Sequence, residues 1–351
     1  MSDAWSDSAA PVFDSEYASI LAVVDQRIHL EWRAHPEQHL DAAGGHLIEA
    51  ARHLGRLLRV IYRHRLLDAL RDEFMWYVHL FAAHGWGHDA LSLVLDSWIV
   101  GIQGLIPTPE CNQLAAPLQT LRDDLSRLFA TAEAGAGTGR PAIDPRLMDD
   151  LLRGDVQHAQ QYLLSNTASV ATPDRWIVDM LLPAMAEVGK RWEQHQIEIY
   201  EEHLASQAIK SLLIRLPALP AAAAPPIGRT ALVTCAPGDE HDLIPMAMSA
   251  YLETKGWQVK NLGGSLPVEQ IVAAATALEP DVLFITLTML FLIDELLAVL
   301  DGLRRDYPSG KVVVGGRGTV AARALLESRG AFVARDFDHG HRLALQVSHH
   351  A

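Results

Sequence analysis

The strongest constraint on the fold is a change of hydrophobic period at Arg229. Beyond that residue, short apolar runs rich in β-branched residues alternate with segments of helical spacing. The five runs are residues 230–234, 258–262, 282–288, 311–314 and 332–335. Residues 268–278 and 293–305 are two of the helical segments between them. Such βα units predict a flavodoxin-like, doubly wound parallel sheet over residues 226–351.

The loop after the first run carries the most informative side chains of this segment. Residues 234–244 read TCAPGDEHDLI, so Asp239 and His241 follow the carboxyl end of a strand and precede a helix. Ligands bind at that edge of an open parallel sheet. A neutral imidazole can bind a metal ion through one ring nitrogen, and a nearby carboxylate can fix its tautomer by accepting a hydrogen bond from the other nitrogen. The alternative is that Asp239 caps the helix and His241 faces solvent.

Two helical regions precede the sheet. Apolar residues recur at three and four positions from Glu16 to about Ala132, with breaks at Gly44-Gly45, residues 85–87 and residues 107–109. This predicts an all-helical, globin-like domain of five to seven helices over residues 1–136, with residues 1 to about 14 disordered. Glycine-rich residues 133–140 predict a linker. Four further helical patterns predict a four-helix bundle over residues 141–217. These patterns cover residues 146–153, 156–165, 174–194 and 199–215. An alanine- and proline-rich linker follows at residues 217–226.

Imidazoles and aromatic rings are concentrated in the first region. Its central part predicts a pocket for a flat conjugated ligand. The alternative is that the rings at helical spacing form the core and the histidines lie on the surface. The residues of this predicted pocket are Trp76, His79, His84, Trp86 and His88.

Composition excludes several classes of function. The formal net charge of −14 opposes binding to nucleic acid or to an anionic membrane. Two cysteines far apart in sequence suit a reducing cytosol, and the acidic first residues do not resemble a signal peptide, so we expect a cytoplasmic protein. No run approaches the roughly 20 apolar residues that span a bilayer. The glycine-rich phosphate-binding motifs of dinucleotide and nucleotide domains are also absent.

Three short motifs at strand ends resemble the cobalamin-binding fold shared by methionine synthase and cobalamin-dependent mutases. Residues 239–244 resemble the family's Asp-x-His-x-x-Gly loop, Thr286-Leu287-Thr288 its Ser-x-Leu/Thr element, and Gly315-Gly316 its glycine pair. The resemblance implies that His241 is the lower cobalt ligand and that the nucleotide tail passes the hydroxyls and the glycines. The residues it places in cobalamin binding are Asp239, Glu240, His241, Asp242, Leu243, Thr286, Thr288, Gly315 and Gly316.

The chain departs from this pattern at one position. Ile244 stands where the loop motif ends in glycine, and Pro245 follows it. A branched side chain at this point is expected to crowd the tail. A domain that has lost cobalamin is therefore an open alternative.

A second resemblance concerns the predicted bundle. Trp192 and the pair Glu202-His203 have the spacing Trp-x9-Glu-His, which is similar to the helical cap of light-sensing cobalamin regulators. It implies that these residues, with Val188 and Glu193, cover the upper face of adenosylcobalamin. Glu193 stands where family members that form a bis-histidine photoproduct carry histidine. The alternative is that Trp192 lies in the bundle core and Glu202-His203 on a solvated helix face.

A helical domain ahead of such a module resembles the photocobilins, which use cobalamin and a bilin together. The resemblance implies a light-responsive sensory protein, not an enzyme, that binds adenosylcobalamin and biliverdin or another bilin. The signal would pass within a homo-oligomer or to a separate partner, without direct contact to nucleic acid or membrane. Two alternatives remain open: a corrinoid methyl-shuttle subunit of a methyltransferase system, and a haem-binding globin sensor on a vestigial cobalamin fold.

Overall fold

The structure is a computed structural model that describes residues 5–34, 44–135, 143–165, 172–194, 196–219 and 224–348. It comprises two compact units. The first contains residues 1–139 with 193–195, and the second contains residues 140–192 with 196–351. The described part of the chain contains no helix that is long and apolar enough to span a membrane.

The first unit is all-helical, as predicted. Its described helices are α1 (Ala9–Ala34), α2 (Gly44–His64), α3 (Leu67–Ala83), α4 (Gly87–Leu105) and α5 (Glu110–Gly135). The breaks predicted at residues 85–87 and 107–109 separate α3 from α4 and α4 from α5. Gly85 and Gly87 both have positive φ angles, which glycine adopts at little cost. A globin-like arrangement of these helices stays a prediction.

The predicted disorder of residues 1 to about 14 is wrong for the residues from Ala9 onward, because α1 begins there. Phe13 is completely buried and meets the ring of Tyr62 edge-on at 4.9 Å. It continues the apolar stripe of Ile20 and Val24, so burial of this ring stabilises the first turns of the helix. Residues 1–4, and residues 136–140 of the predicted linker, lie outside the described residues.

The second unit begins with the predicted bundle. Its helices are α6 (Pro145–Leu152), α7 (Val156–Ser165), the short α8 (Pro173–Arg175) that continues into α9 (Leu182–Glu193), and α10 (Ile199–Arg215). Residues 176–181, between α8 and α9, form a π-helical segment that the periodicity did not indicate. The side chain of Asp144 caps α6 by accepting from the backbone of Arg146. The middle of the second predicted linker, residues 220–223, lies outside the described residues.

A five-stranded parallel sheet follows, and its order β2-β1-β3-β4-β5 confirms the predicted flavodoxin-like topology. The strands are β1 (Thr230–Cys235), β2 (Gln258–Asn261), β3 (Val282–Thr286), β4 (Val312–Gly315) and β5 (Phe332–Val333). The helices of this part are α11 (Leu243–Thr254), α12 (Val268–Leu278), α13 (Ile293–Asp306), α14 (Arg323–Ser328) and α15 (Phe337–Ser348).

Strands β3 and β5 each end two residues earlier than predicted, because backbone N–H groups beyond their ends donate to side chains and not to a neighbouring strand. Strand β3 ends at Thr286, and the backbone N–H of Thr288 donates to the carboxylate of Asp239 at 2.7 Å. Strand β5 ends at Val333, and the N–H of Arg335 donates to Nδ1 of His339 at 3.1 Å.

The bundle and the sheet share one hydrophobic core. Helix α10 packs on α11, which in turn covers β1 and β3. The core joins Val188 and Ile209 of the bundle to Tyr251 of α11 and Phe284 of β3. Continuous apolar packing of this kind makes the bundle and the carboxyl edge of the sheet parts of one folded body.

Candidate functional site

The carboxylate of Asp239 organises the carboxyl edge of the sheet. This residue lies between β1 and α11, and its side chain is completely buried. Oδ1 accepts from the backbone N–H of His241 at 3.1 Å and from its ring Nδ1 at 2.7 Å, while Oδ2 accepts from the N–H of Thr288 at 2.7 Å. The carbonyl of Asp239 accepts from the N–H of Ser265 at 3.1 Å. One residue therefore connects the loops that follow β1, β2 and β3.

The same carboxylate selects the tautomer of His241. A carboxylate only accepts hydrogen bonds, so Nδ1 carries the proton and the lone pair of the neutral ring lies on Nε2. The described residues make no hydrogen bond to Nε2, and the side chain of His241 is 53% exposed. The site thus presents one oriented imidazole nitrogen that can bind a metal ion.

The pKa of Asp239 lies below its usual value. Burial by itself would raise the pKa, but the hydrogen bonds from His241 and Thr288 outweigh burial and stabilise the charged form. The carboxylate is therefore ionised at neutral pH and keeps Nδ1 of His241 protonated.

Thr286 ends β3 beside this loop and has an unsatisfied hydroxyl. Its Oγ1 is buried and has no hydrogen-bond partner among the described residues, although the thiol of Cys235 lies next to it on the adjacent strand. A thiol is a weak donor and acceptor, and Cys235 donates to the carbonyl of His241 at 3.6 Å. The Thr286 hydroxyl is thus available for a stronger partner, whereas Thr288 is tied to Asp239 through its backbone.

Gly315, the last residue of β4, and Gly316, which follows it, serve different purposes. Gly316 has a φ angle of 105°, and a Cβ there would lie 2.4 Å from the carbonyl oxygen of Leu287. Loop packing alone therefore requires glycine at this position. Among the described residues, a Cβ on Gly315 would meet only the Cβ of Ala334, at 3.8 Å, so they leave room in front of Gly315.

The remaining residues of the loop motif differ in their exposure and in the contacts they make. Glu240 is exposed, and Asp242 forms an ion pair with Lys210 of α10 at 2.9 Å. Leu243, the first residue of α11, packs against the shared core. Ile244 is half-buried and its N–H donates to the carbonyl of His241 at 3.3 Å, so the loop accommodates a branched residue in the glycine position.

The bundle residues of the predicted cap occupy a helix end and a helix start. Trp192 lies at the end of α9 and is 44% exposed, so the alternative that it is a bundle core residue is wrong. Val188, one turn earlier, is buried in the shared core, and Glu193 is the last residue of α9. In the first turns of α10, Glu202 binds Nδ1 of His203 at 2.7 Å through one oxygen. Its other oxygen accepts from the hydroxyl of Ser206 at 2.5 Å.

The predicted pocket of the first unit is only partly assembled. The rings of His84 and Trp86 stack at 4.1 Å, and His46, which the sequence did not single out, stacks on the same indole at 5.3 Å. His88 instead pairs with Asp89 at 2.9 Å. His79 is exposed on α3, and Trp76 meets the ring of Tyr77 edge-on at 5.0 Å.

The geometry predicts the effect of replacing the buried carboxylate. Asparagine has one acceptor oxygen, so in Asp239→Asn one of the donors from His241 and Thr288 loses its partner. An unpaired buried donor costs about 1–3 kcal/mol, which urea denaturation of the ligand-free protein measures. Asp149→Asn, at an exposed carboxylate on α6, is the control and changes stability by less than about 0.5 kcal/mol.

The pH dependence of this deficit follows from the lowered pKa. A carboxyl group with a depressed folded pKa contributes stability above its unfolded pKa and loses it as pH falls through the folded value. The difference between wild type and Asp239→Asn should persist at neutral pH and shrink once pH drops below 3.8. A difference that grows on acidification would contradict this account of Asp239.

Comparison with known proteins identifies the module that contains this site. Residues 145–216 and 229–340 match two families that are both described as B12 binding domains. The chain is 30% identical over 156 residues to the HTH-type transcriptional repressor CarA of Myxococcus xanthus, which is 44% of this chain and 52% of CarA. It is 29% identical over 185 residues to the repressor CarH of the same organism, which is 52% of this chain and 60% of CarH. The chain thus spans about half to three-fifths of these relatives.

Among solved structures, the monomethylamine corrinoid protein of Methanosarcina barkeri is similar over 57% of this chain and 96% of its own, at 20% identity and a TM-score of 0.45. A cobalamin-binding protein from Desulfitobacterium hafniense is similar over 57% of this chain and 96% of its own, at 18% identity and a TM-score of 0.31. The two family matches cover the helical bundle and the parallel sheet in turn. The chain therefore carries a two-part cobalamin-binding module, a helical part at residues 145–216 and an α/β part at residues 229–340.

Proposed function

We propose that this protein is a light-responsive sensor that binds adenosylcobalamin through His241 and a bilin through its N-terminal unit. The observation that carries the cobalamin part is the oriented imidazole of His241, whose Nδ1 is held at 2.7 Å by the buried carboxylate of Asp239. Its position in an α/β part that matches a B12 binding domain supports cobalt as the metal. The names of the curated relatives, both transcriptional repressors, support a regulatory rather than an enzymatic role.

The residues at the carboxyl edge fit a cobalamin. None of the described residues bonds to Nε2 of His241, which can therefore act as lower ligand, or to the buried hydroxyl of Thr286, for which a polar tail can supply a partner. The open surface before Gly315 lets such a tail approach the backbone of β4. Thr288 contributes by holding Asp239 through its backbone N–H.

The cap residues supply the opposite face. Trp192 offers a half-exposed indole at the end of α9, and Glu202 and His203 offer a carboxylate and an imidazole at the start of α10. An indole covers an apolar ligand, while the carboxylate accepts hydrogen bonds from ligand hydroxyls. We assign these residues to the adenosyl group. Val188, buried in the shared core, supports α9 from behind.

When bound, adenosylcobalamin supplies a cobalt–carbon bond that light breaks. The protein must be able to adopt two conformations of different stability. In one the cap residues pack on the upper ligand, and in the other they do not. A switch results only if the two states of the ligand bind these arrangements with different free energies. The signal then passes to a second copy of the chain or to a separate partner.

The N-terminal unit is the proposed bilin site. The stacked rings of His84 and Trp86 offer an aromatic face and imidazole nitrogens at the α3–α4 break. A flat conjugated ligand can stack on such a face and hydrogen-bond to the imidazoles. We include His46 in the site because it stacks on the same indole.

The main alternative is a corrinoid methyl shuttle. A shuttle must offer the upper face of its cofactor to a partner enzyme. The exposed indole of Trp192 at the end of α9 is unfavourable for this function, because a bulky cap restricts access to that face.

Replacing the lower ligand tests the cobalamin proposal. His241→Ala should weaken adenosylcobalamin retention at least about tenfold and give a spectrum typical of cobalt without a protein ligand, because the imidazole is lost. Wild type should show a spectrum that shifts under green light. Absorption spectroscopy before and after illumination measures both effects, and added imidazole should restore the variant's spectrum.

The matched control is His158→Ala, which removes an exposed imidazole that is also paired with an aspartate. It should bind and respond like wild type. Unchanged binding and an unchanged spectrum in His241→Ala would show that the ligand assignment is wrong. A light-stable methylcobalamin that transfers its methyl group to a thiol would favour the shuttle.

The cap is tested by comparing two forms of the cofactor. Trp192→Ala removes an indole that can bury roughly 150–250 Å² against a ligand. It should weaken adenosylcobalamin binding about tenfold more than hydroxocobalamin binding, since the second has no adenosyl group to pack. Ile214→Ala, at an exposed position of α10, should leave the ratio of the two dissociation constants unchanged. Equal weakening of both forms in Trp192→Ala would remove the main support for a photosensor.

The bilin site is tested in the full chain. Trp86→Ala should weaken biliverdin binding about tenfold, because the stacking face is lost, and should leave cobalamin affinity unchanged. Absorbance titration with each pigment measures both. His29→Ala, at an exposed position of α1, is the control. Normal biliverdin binding by Trp86→Ala would place the second pigment elsewhere.

A further inference from the structure

A row of polar side chains on α10 connects the cap to the histidine loop. Glu202, Ser206 and Lys210 are spaced by four residues, so they lie on one side of the helix. All three are half-buried. The hydroxyl of Ser206 donates to Glu202 at 2.5 Å, and Nζ of Lys210 donates to the carboxylate of Asp242 at 2.9 Å.

Asp242 makes this contact relevant to the site. It follows His241 directly and stands immediately before α11, and its own N–H donates to the carbonyl of Glu240 at 2.9 Å. The Lys210–Asp242 ion pair therefore joins the bundle to the backbone that presents the imidazole. Its side chains are 25% and 39% exposed, so solvent only partly screens the pair.

The two ends of the row serve the two faces of the proposed ligand. Glu202 lies eight positions before Lys210, which is roughly 12 Å along the axis of a helix. A shift of Lys210 relative to the loop is transmitted by the rigid helix to Glu202 and His203. The buried face of α10 includes Ala205 and Ile209, and apolar contacts of this kind carry no direction, so polar pairs such as Lys210–Asp242 are needed to set the register of the helix.

We propose that Lys210 is a positioning residue that fixes the register of α10 on the histidine loop, and thereby the placement of Glu202 and His203 over the upper ligand. This inference rests on the proposed function. Lys210 does not touch the cofactor in this assignment. It acts through Asp242 on one side and through the helix on the other.

The test measures binding of two cofactor forms to the full-length protein. Lys210→Met keeps most of the side-chain length and removes the charge. It should lower the affinity for adenosylcobalamin about two- to fivefold relative to hydroxocobalamin, the range that a partly exposed ion pair can supply. Lys210→Arg should restore the wild-type ratio. Lys190→Met, at an exposed lysine of α9, is the matched control and should leave the ratio unchanged.

A double-mutant cycle isolates the ion pair. If the pair is the cause, Lys210→Met combined with Asp242→Asn should shift the ratio no further than either single change does. A second readout is the visible spectrum of bound cobalamin, which should keep its His241-dependent form in Lys210→Met, because the lower ligand is intact. Thermal unfolding of the ligand-free variants identifies any variant that fails to fold. If Lys210→Met does not fold, Asp242→Asn, which weakens the same ion pair, is compared with wild type in its place.

The outcomes separate this inference from the proposed function. An unchanged ratio in Lys210→Met, or equal weakening of both forms with a lower melting temperature, would overturn the positioning role and leave the cobalamin site standing. Additive effects in the cycle would also overturn it. Failure of wild type to bind either form, or a spectrum that does not depend on His241, would instead reject the proposed function itself.

Discussion

The buried carboxylate of Asp239 is the interaction on which the candidate site depends. Its two oxygens accept three hydrogen bonds, two from His241 and one from the loop after β3, and its carbonyl accepts one from the loop after β2. A buried charge is tolerated only when it is fully hydrogen-bonded, and this one is. The same bonds that stabilise the charge also hold three loops in register and leave the lone pair of the neutral His241 ring on Nε2. Loop structure and ligand chemistry are therefore consequences of a single residue.

The second feature is the continuity between bundle and sheet. A shared apolar core determines that the two parts associate, but apolar contacts alone specify their register weakly. Polar pairs add direction: Lys255, the residue that follows α11, binds Asp174 of α8 at 2.7 Å, and Arg175 binds Asp338 of α15 at 2.9 Å. A protein that responds to a change in its ligand needs both properties. The core keeps the parts together in either state, and a few directional contacts can be exchanged between states.

The order of the elements was predictable, and several of their ends were not. Helix α10 has the predicted bounds because a Glu198–Glu201 capping box and an apolar stripe define it locally. Strand β3 ends two residues early because a backbone N–H of the next loop bonds to a side chain 49 positions away. The π-helical segment at residues 176–181 lies inside a stretch whose spacing predicts an ordinary helix. Its local sequence carried no signal for that change.

The sequence by itself determined the sheet topology and the helical bundle, and it singled out His241 as the candidate metal ligand, because hydrophobic period and short motifs are local properties. Only the tertiary structure decided which side chains are available. It showed that Trp192 is exposed and Val188 buried, that the Thr286 hydroxyl has no hydrogen-bond partner among the described residues, and that Lys210 reaches Asp242. Each of these facts depends on segments far apart in the chain. Burial and hydrogen-bond pairing depend on which residues pack against one another, and a single sequence does not show which distant residues come into contact.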